Sequence, residues 1–169
     1  MIRILFLIII LVYLLPSYPK PVVIEDFVTE EERAHIISKA ESKLQVSTVD
    51  KDMRVDEKTR KSETAWLSAK DPVVRNVIER CVQQIDRPIE NCEHLQVLRY
   101  KPGGHYIPHQ DAFFDEKNVR LYTFILALND EYEGGETVFP NLKEKYKLKA
   151  GDALFFNTLD NYRLDTSKA

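Results

Sequence analysis

From residue 94 to residue 157 the chain falls into six short runs rich in β-branched and aromatic residues: HLQVLRY, HYIPHQDAF, VRLYTFILALN, GETVFP, KYKLKA and DALFFN. Gly or Asn/Asp turns separate many of them. Strands this short and this closely spaced leave few solutions other than a sandwich or jelly roll, whose two sheets bury one face each. Upstream the pattern is helical. TEEERAHIISKAESKL opens with Thr29 and Glu32, the spacing of a capping box, and places Ile36, Ile37, Ala40 and Leu44 on one face. DPVVRNVIERCVQQI begins with Asp71 as N-cap and Pro72 in the first turn, which predicts a second helix over 71–85. PVVIEDF (21–27) and QVSTVD (45–50) read as strands. The stretch 51–64 reads as a charged loop around a further short strand.

At 169 residues the chain has room for one domain with a genuine core. The break near 86–94 therefore separates two layers of one α+β unit rather than two folds. The expected organisation is a leader over 1–20, a helical and strand layer over 21–93, and a β core over 94–169. The leader reading rests on twelve apolar residues, Ile4 to Leu15, behind a single Arg3. That is short of the roughly 20 residues needed to span a bilayer. It fits the apolar region of a signal peptide or an uncleaved signal anchor, with an N-terminus that engages a membrane if it is retained. The secretory pathway, with the endoplasmic reticulum lumen as working compartment, is the expected location. A net charge of −3, with Lys and Arg scattered, argues against nucleic-acid binding. Cys81 and Cys92 are the only cysteines. Their spacing excludes a zinc knuckle and leaves open either one disulfide or two separate buried thiols.

The chemistry concentrates in LRYKPGGHYIPHQDAF, residues 98–113. On a strand, residues two apart share a face, so His109 and Asp111 would present an imidazole and a carboxylate side by side. That is two-thirds of the 2-His-1-carboxylate facial triad that holds Fe(II) with positions open for substrate and oxygen. Taken alone, the same spacing also suits a hydrogen-bonded structural pair. The other histidines compete poorly. His105 shares strand parity with His109, but four strand residues would put them about 13 Å apart. His35 belongs to the helical layer, and His94 falls just before the first core β-strand, which begins at Leu95.

The surroundings of this pair carry more. LQVLRYKPGGHYIPHQDAFFDE, RLYTFILALNDEYEGGETVFP and KLKAGDALFFNTLD together resemble the catalytic domain of prolyl 4-hydroxylases, which are Fe(II)- and 2-oxoglutarate-dependent dioxygenases. Upstream, PVVIEDFVTEEERAHIISKA, KSETAWL and DPVVRNVIER are similar to the same family's N-terminal part. The resemblance implies a double-stranded β-helix (jelly roll) with N-terminal helices packed on it. It implies hydroxylation of a peptidyl proline, with decarboxylation of 2-oxoglutarate to succinate and L-ascorbate maintaining the iron. By residue, it makes His109 and Asp111 iron ligands and gives Tyr100 and Thr137 hydroxyl contacts to 2-oxoglutarate. Tyr106 and Arg120 would line the peptide-binding side. Without the resemblance, Thr137 is an ordinary strand threonine and Tyr100 a core aromatic. Tyr106 is then an interface tyrosine, and Arg120 a surface arginine. Glycines 134 and 135 would permit a tight turn that delivers Thr137 inward.

In that family a second histidine, then a lysine that pairs with 2-oxoglutarate, follow the GDALLF-like strand. Here the sequence reads GDALFFNTLDNYRLDTSKA, with no histidine and no lysine at the matching position. The expectation is therefore a core with its last two strands missing. Asp160 and Asp165 are the available substitutes for the third ligand, without support from spacing. Two function classes follow: a prolyl 4-hydroxylase-like oxidoreductase, or a catalytically inactive β-helix that binds a peptide or partner subunit without turnover. A cupin-like zinc or manganese protein would need more histidines than the chain offers.

Overall fold

The computed structural model describes residues 18–49, 54–85, 87–112 and 119–158. In chain order it contains β1 (Val22–Ile24), α1 (Glu30–Glu41), β2 (Gln45–Val46), β3 (Arg60–Lys61), β4 (Glu63–Leu67) and α2 (Pro72–Val82). A 3-10 turn at Ile89–Asn91 leads to β5 (Leu95–Arg99), β6 (His105–Tyr106) and β7 (Tyr122–Leu126). The hairpin strands β8 (Thr137–Phe139) and β9 (Glu144–Tyr146) follow, then β10 (Ala153–Asn157). The apolar stretch from Ile4 to Leu15 lies outside the described residues. Among those described, no helix is long and apolar enough to cross a membrane.

Both helices start where local chemistry dictates. The Thr29 hydroxyl accepts from the Glu32 N–H at 3.2 Å, and the Glu32 carboxylate accepts from the Thr29 N–H at 3.0 Å, which completes the capping box of α1. Asp71 accepts from the Val73 and Val74 N–H groups at the start of α2. The caps also join the helices to each other. His35 of α1 donates to the Asp71 carboxylate at 2.9 Å. Arg80 of α2 makes a two-pronged pair with Glu32, at 2.7 and 2.9 Å, and donates to the Phe27 carbonyl. Ile36 and Ala40 turn into the core, whereas Ile37, expected on the same face, is exposed. Adjacent helical residues point about 100° apart, and here the core covers the Ile36 side of the helix and stops short of Ile37.

Among the described residues the β part consists of four small antiparallel sheets: β1–β10–β7, β2–β4–β5, β3–β6 and the β8–β9 hairpin. The helices cover β4 and β5 through Val74, Val77, Ala65, Leu67 and Val97. A second core forms where Phe139 of the hairpin meets Leu154 and Phe156 of β10. Strand β10 serves both cores. Ala153 belongs to the first and its neighbour Leu154 to the second, as alternation along a strand requires. Tyr18, inside the stretch read as a leader, is buried at 7% exposure and donates to the Asn157 carbonyl at the end of β10.

Cys81 and Cys92 carry free thiols, both packed against the first core. Burial, with a smaller contribution from Cys92, pushes the Cys81 thiol up to about 12.

Candidate metal centre

The expected strand through 105–113 is realised only at its start. Strand β6 covers His105 and Tyr106, paired with Lys61 and Arg60 of β3. The last bond of this ladder is donated by the Ile107 N–H to the Thr59 carbonyl. Pro108 then follows with no N–H to offer, so the chain leaves the sheet. His109 and Asp111 therefore sit in a loop, and strand parity does not bring them together. Local hydrogen bonding does. The His109 Nδ1–H donates to the Ile107 carbonyl at 2.9 Å, and Nε2 lies 3.2 Å from the Asp111 Oδ1, donating to it when the imidazole is protonated. The Asp111 Oδ2 is taken by the Thr123 hydroxyl of β7 at 2.8 Å.

A stack fixes the imidazole plane. The Tyr106 ring lies on the His109 ring, with centroids 3.6 Å apart and 19° between planes. The Arg60 guanidinium sits 4.8 Å from the Tyr106 centroid. Arg60 is itself buried and donates to the Ser62 hydroxyl. The electrostatics reinforce the pairing. Burial works against charge on both groups, but the Asp111 carboxylate and the Ile107 carbonyl together hold the His109 pKa above its ordinary value. Despite burial, His109, Thr123 and the Arg120 charge hold Asp111 below its ordinary value.

Two donors bound to one metal at about 2.1 Å each, in neighbouring positions, stand about 3 Å apart. The spacing between His109 Nε2 and Asp111 Oδ1 suits that edge, and a carbonyl on the far imidazole nitrogen is the usual support of a ligating histidine. The pair fits two positions of an Fe(II) site. Among the described residues, no third His, Cys, Asp or Glu joins them. Asp160 and Asp165 lie outside the described residues.

The remaining expected site residues divide. Arg120 acts on Asp111 through its charge while its side chain pairs with Glu93. Thr137 shares a strand face with Phe139, whose ring meets Phe156 edge-on at 4.9 Å. Phe156 is opposite Thr123 in the β7–β10 register, and Thr137 shares with Phe139 the face of β8 that packs toward β10. Gly134 and Gly135, at φ of +70° and +71°, make the turn that turns this strand inward. Tyr100, just past β5, is 45% exposed rather than part of the core. Among the described residues, no hydrogen bond, ring contact or ion pair links Tyr100 or Thr137 to His109 or Asp111.

Sequence reasoning missed three neighbours of the pair: Thr123, Arg60 and Tyr18. The Tyr18 hydroxyl pKa is pushed up to about 12, chiefly by burial and then by the Asp111 charge. Nothing in the local pattern around these residues marks them, because each acts through contacts made by folding.

The chain resembles known proteins in both sequence and fold. The sequence pattern of the 2OG-Fe(II) oxygenase superfamily matches residues 95–163. The chain is 34% identical over 154 residues to a protein of Acanthamoeba polyphaga mimivirus that carries a prolyl 4-hydroxylase name; the match covers 85% of this chain and 63% of that one. It is 35% identical over 171 residues to Probable prolyl 4-hydroxylase 10 of Arabidopsis thaliana, covering 82% of this chain and 57% of the other. The chain thus spans less than two-thirds of the length of these curated relatives. Its fold is similar to that of the viral collagen prolyl hydroxylase of Paramecium bursaria Chlorella virus-1 in complex with 2OG. That likeness has a TM-score of 0.66 at 27% identity, over 89% of this chain and 85% of that one.

Proposed function

The chain belongs to the prolyl 4-hydroxylase family of 2OG-Fe(II) oxygenases, with the family's jelly-roll fold, and from that premise we propose that it hydroxylates a proline in a peptide or protein substrate. The observation that carries this reading is the prearranged His109–Asp111 pair, with Nε2 and Oδ1 converging 3.2 Å apart in a reachable loop.

In this reading His109 and Asp111 hold Fe(II), which with 2-oxoglutarate and O2 supplies the oxidising power for hydroxylation. The protein's own part is positional. The Ile107 carbonyl keeps the Nδ1 proton in place, so that Nε2 stays a lone-pair donor. The Tyr106 ring holds the imidazole plane. Thr137 on its inward face, and Tyr100 at the end of β5, supply hydroxyls to 2-oxoglutarate. Tyr106 and Arg120 line the side where the peptide enters, and L-ascorbate keeps the iron reduced. The secretory pathway remains the proposed compartment, on the strength of the apolar N-terminal run.

A peptide-binding module without turnover is the second reading, favoured by the lack of a third donor among the described residues. The test is a proline-rich peptide incubated with the chain, Fe(II), 2-oxoglutarate and ascorbate, then analysed by mass spectrometry. Addition of one oxygen atom at proline, lost in His109→Ala, supports the hydroxylase. Unmodified peptide that nonetheless binds the chain supports the module.

A further inference from the structure

The wall opposite the His109 loop carries one polar side chain that its surroundings do not explain. On β7, Thr123 shares a strand face with Ile125, and opposite them on β10 lie Phe156 and Leu154. Leu154 and Phe156 belong to the second core, with Ile125 packed against it. A valine would fill this place with the same shape and no polar group to satisfy. The hydroxyl is there nonetheless, and it donates to the Asp111 Oδ2 at 2.8 Å.

We propose that Thr123 is a positioning residue that fixes which oxygen of Asp111 is offered to the metal. This rests on the iron-site reading above and deepens it. A carboxylate has two oxygens of equal intrinsic affinity and rotates readily about its last torsion. In this structure the two are made unequal. Oδ2 is engaged by a donor fixed to a strand, and Oδ1 is left facing His109 Nε2 at 3.2 Å. Because Thr is β-branched, its χ1 is stiff, and the pairing of β7 with β10 fixes its backbone. The hydroxyl direction is therefore set by the sheet rather than by the loop. Asp111 is thus held as a one-oxygen donor, and coordination positions that a two-oxygen carboxylate would fill stay free. Partners of this kind, one bond removed from a metal, typically change metal affinity about 10- to 100-fold when lost.

The test uses Co(II), an air-stable stand-in for Fe(II), titrated into the full chain by calorimetry and visible absorption, alongside thermal melting. Thr123→Val keeps shape and removes the hydroxyl. Thr123→Ser keeps the hydroxyl and removes a methyl from the core. The expected result is Co(II) binding about tenfold weaker in Thr123→Val, with an altered visible spectrum and unchanged melting. Thr123→Ser should bind within about threefold of wild type even where it melts earlier. Wild-type affinity in Thr123→Val, or equal losses in both variants, would overturn the assignment. Wild-type chain that binds Co(II) no better than His109→Ala would overturn the iron reading itself, and the role of Thr123 with it.

Discussion

The ring stack on His109 gives a prediction that separates two roles for Tyr106, one for its ring and one for its hydroxyl. With centroids 3.6 Å apart, the Tyr106 ring restrains the imidazole before any metal arrives, while the Ile107 carbonyl restrains one ring nitrogen. In Tyr106→Ala the second restraint remains and the first is gone. Freezing the loosened ring on metal binding then costs about 0.5–1.5 kcal/mol, the range of an aromatic pair and of a side chain's rotamer entropy. That corresponds to metal binding about two- to tenfold weaker. Tyr106→Phe keeps the ring and should stay within about twofold of wild type. Calorimetric titration with Co(II), at matched melting temperature, reads both variants. Wild-type affinity in Tyr106→Ala would refute the claim that the stack prearranges the ligand. So would a loss in Tyr106→Phe as large as that in Tyr106→Ala.

Four further outcomes follow from the packing. Leu154→Ala empties a fully buried site on β10 and should lower unfolding free energy by about 2–5 kcal/mol, measured by urea denaturation. Arg80→Ala should cost about 1–2 kcal/mol, below the 3–5 of a fully buried pair because of partial solvent exposure; the Arg80 side chain is 34% exposed. The Arg80 pairing holds the Glu32 pKa below its ordinary 4.5, so its contribution is complete above that value. It fades as pH falls from there through the folded value. Urea midpoints followed down through this range should fall less steeply in Glu32→Gln than in wild type. At the turn before β6, a Cβ on Gly104 would stand 2.8 Å from the Lys101 carbonyl oxygen and 2.9 Å from that of Lys61. Gly104→Ala should therefore destabilise the β3–β6 pair that supports Tyr106, by about 1–3 kcal/mol in the same assay.

What the sequence disclosed, and what it did not, follows from how far each contact reaches along the chain. The caps of both helices rest on residues two or three apart, Thr29 with Glu32 and Asp71 with Val73 and Val74. Such signals are local, and they were legible. Several β runs were legible too where alternation shows, as in β8, where Val138 is exposed between Thr137 and the buried Phe139. The His109–Asp111 pair was legible as residue types, but the reason for its alignment was misread. Pro108 ends the ladder, and a carbonyl two residues back orients the imidazole instead. Ile37 went astray because apolarity alone does not fix a residue's angle around a helix. Tyr18 and Arg60 were out of reach for a different reason. Tyr18 bonds to a residue 139 positions away, and Arg60 matters only through the ring it meets across the β3–β6 pair.

The most direct measurement is succinate release from 2-oxoglutarate by this chain, with Fe(II), ascorbate and a proline-rich peptide, compared with His109→Ala. The account predicts release that depends on the peptide and disappears in the variant. Release that persists in His109→Ala, or no release from a wild-type chain shown to bind the metal, would contradict it.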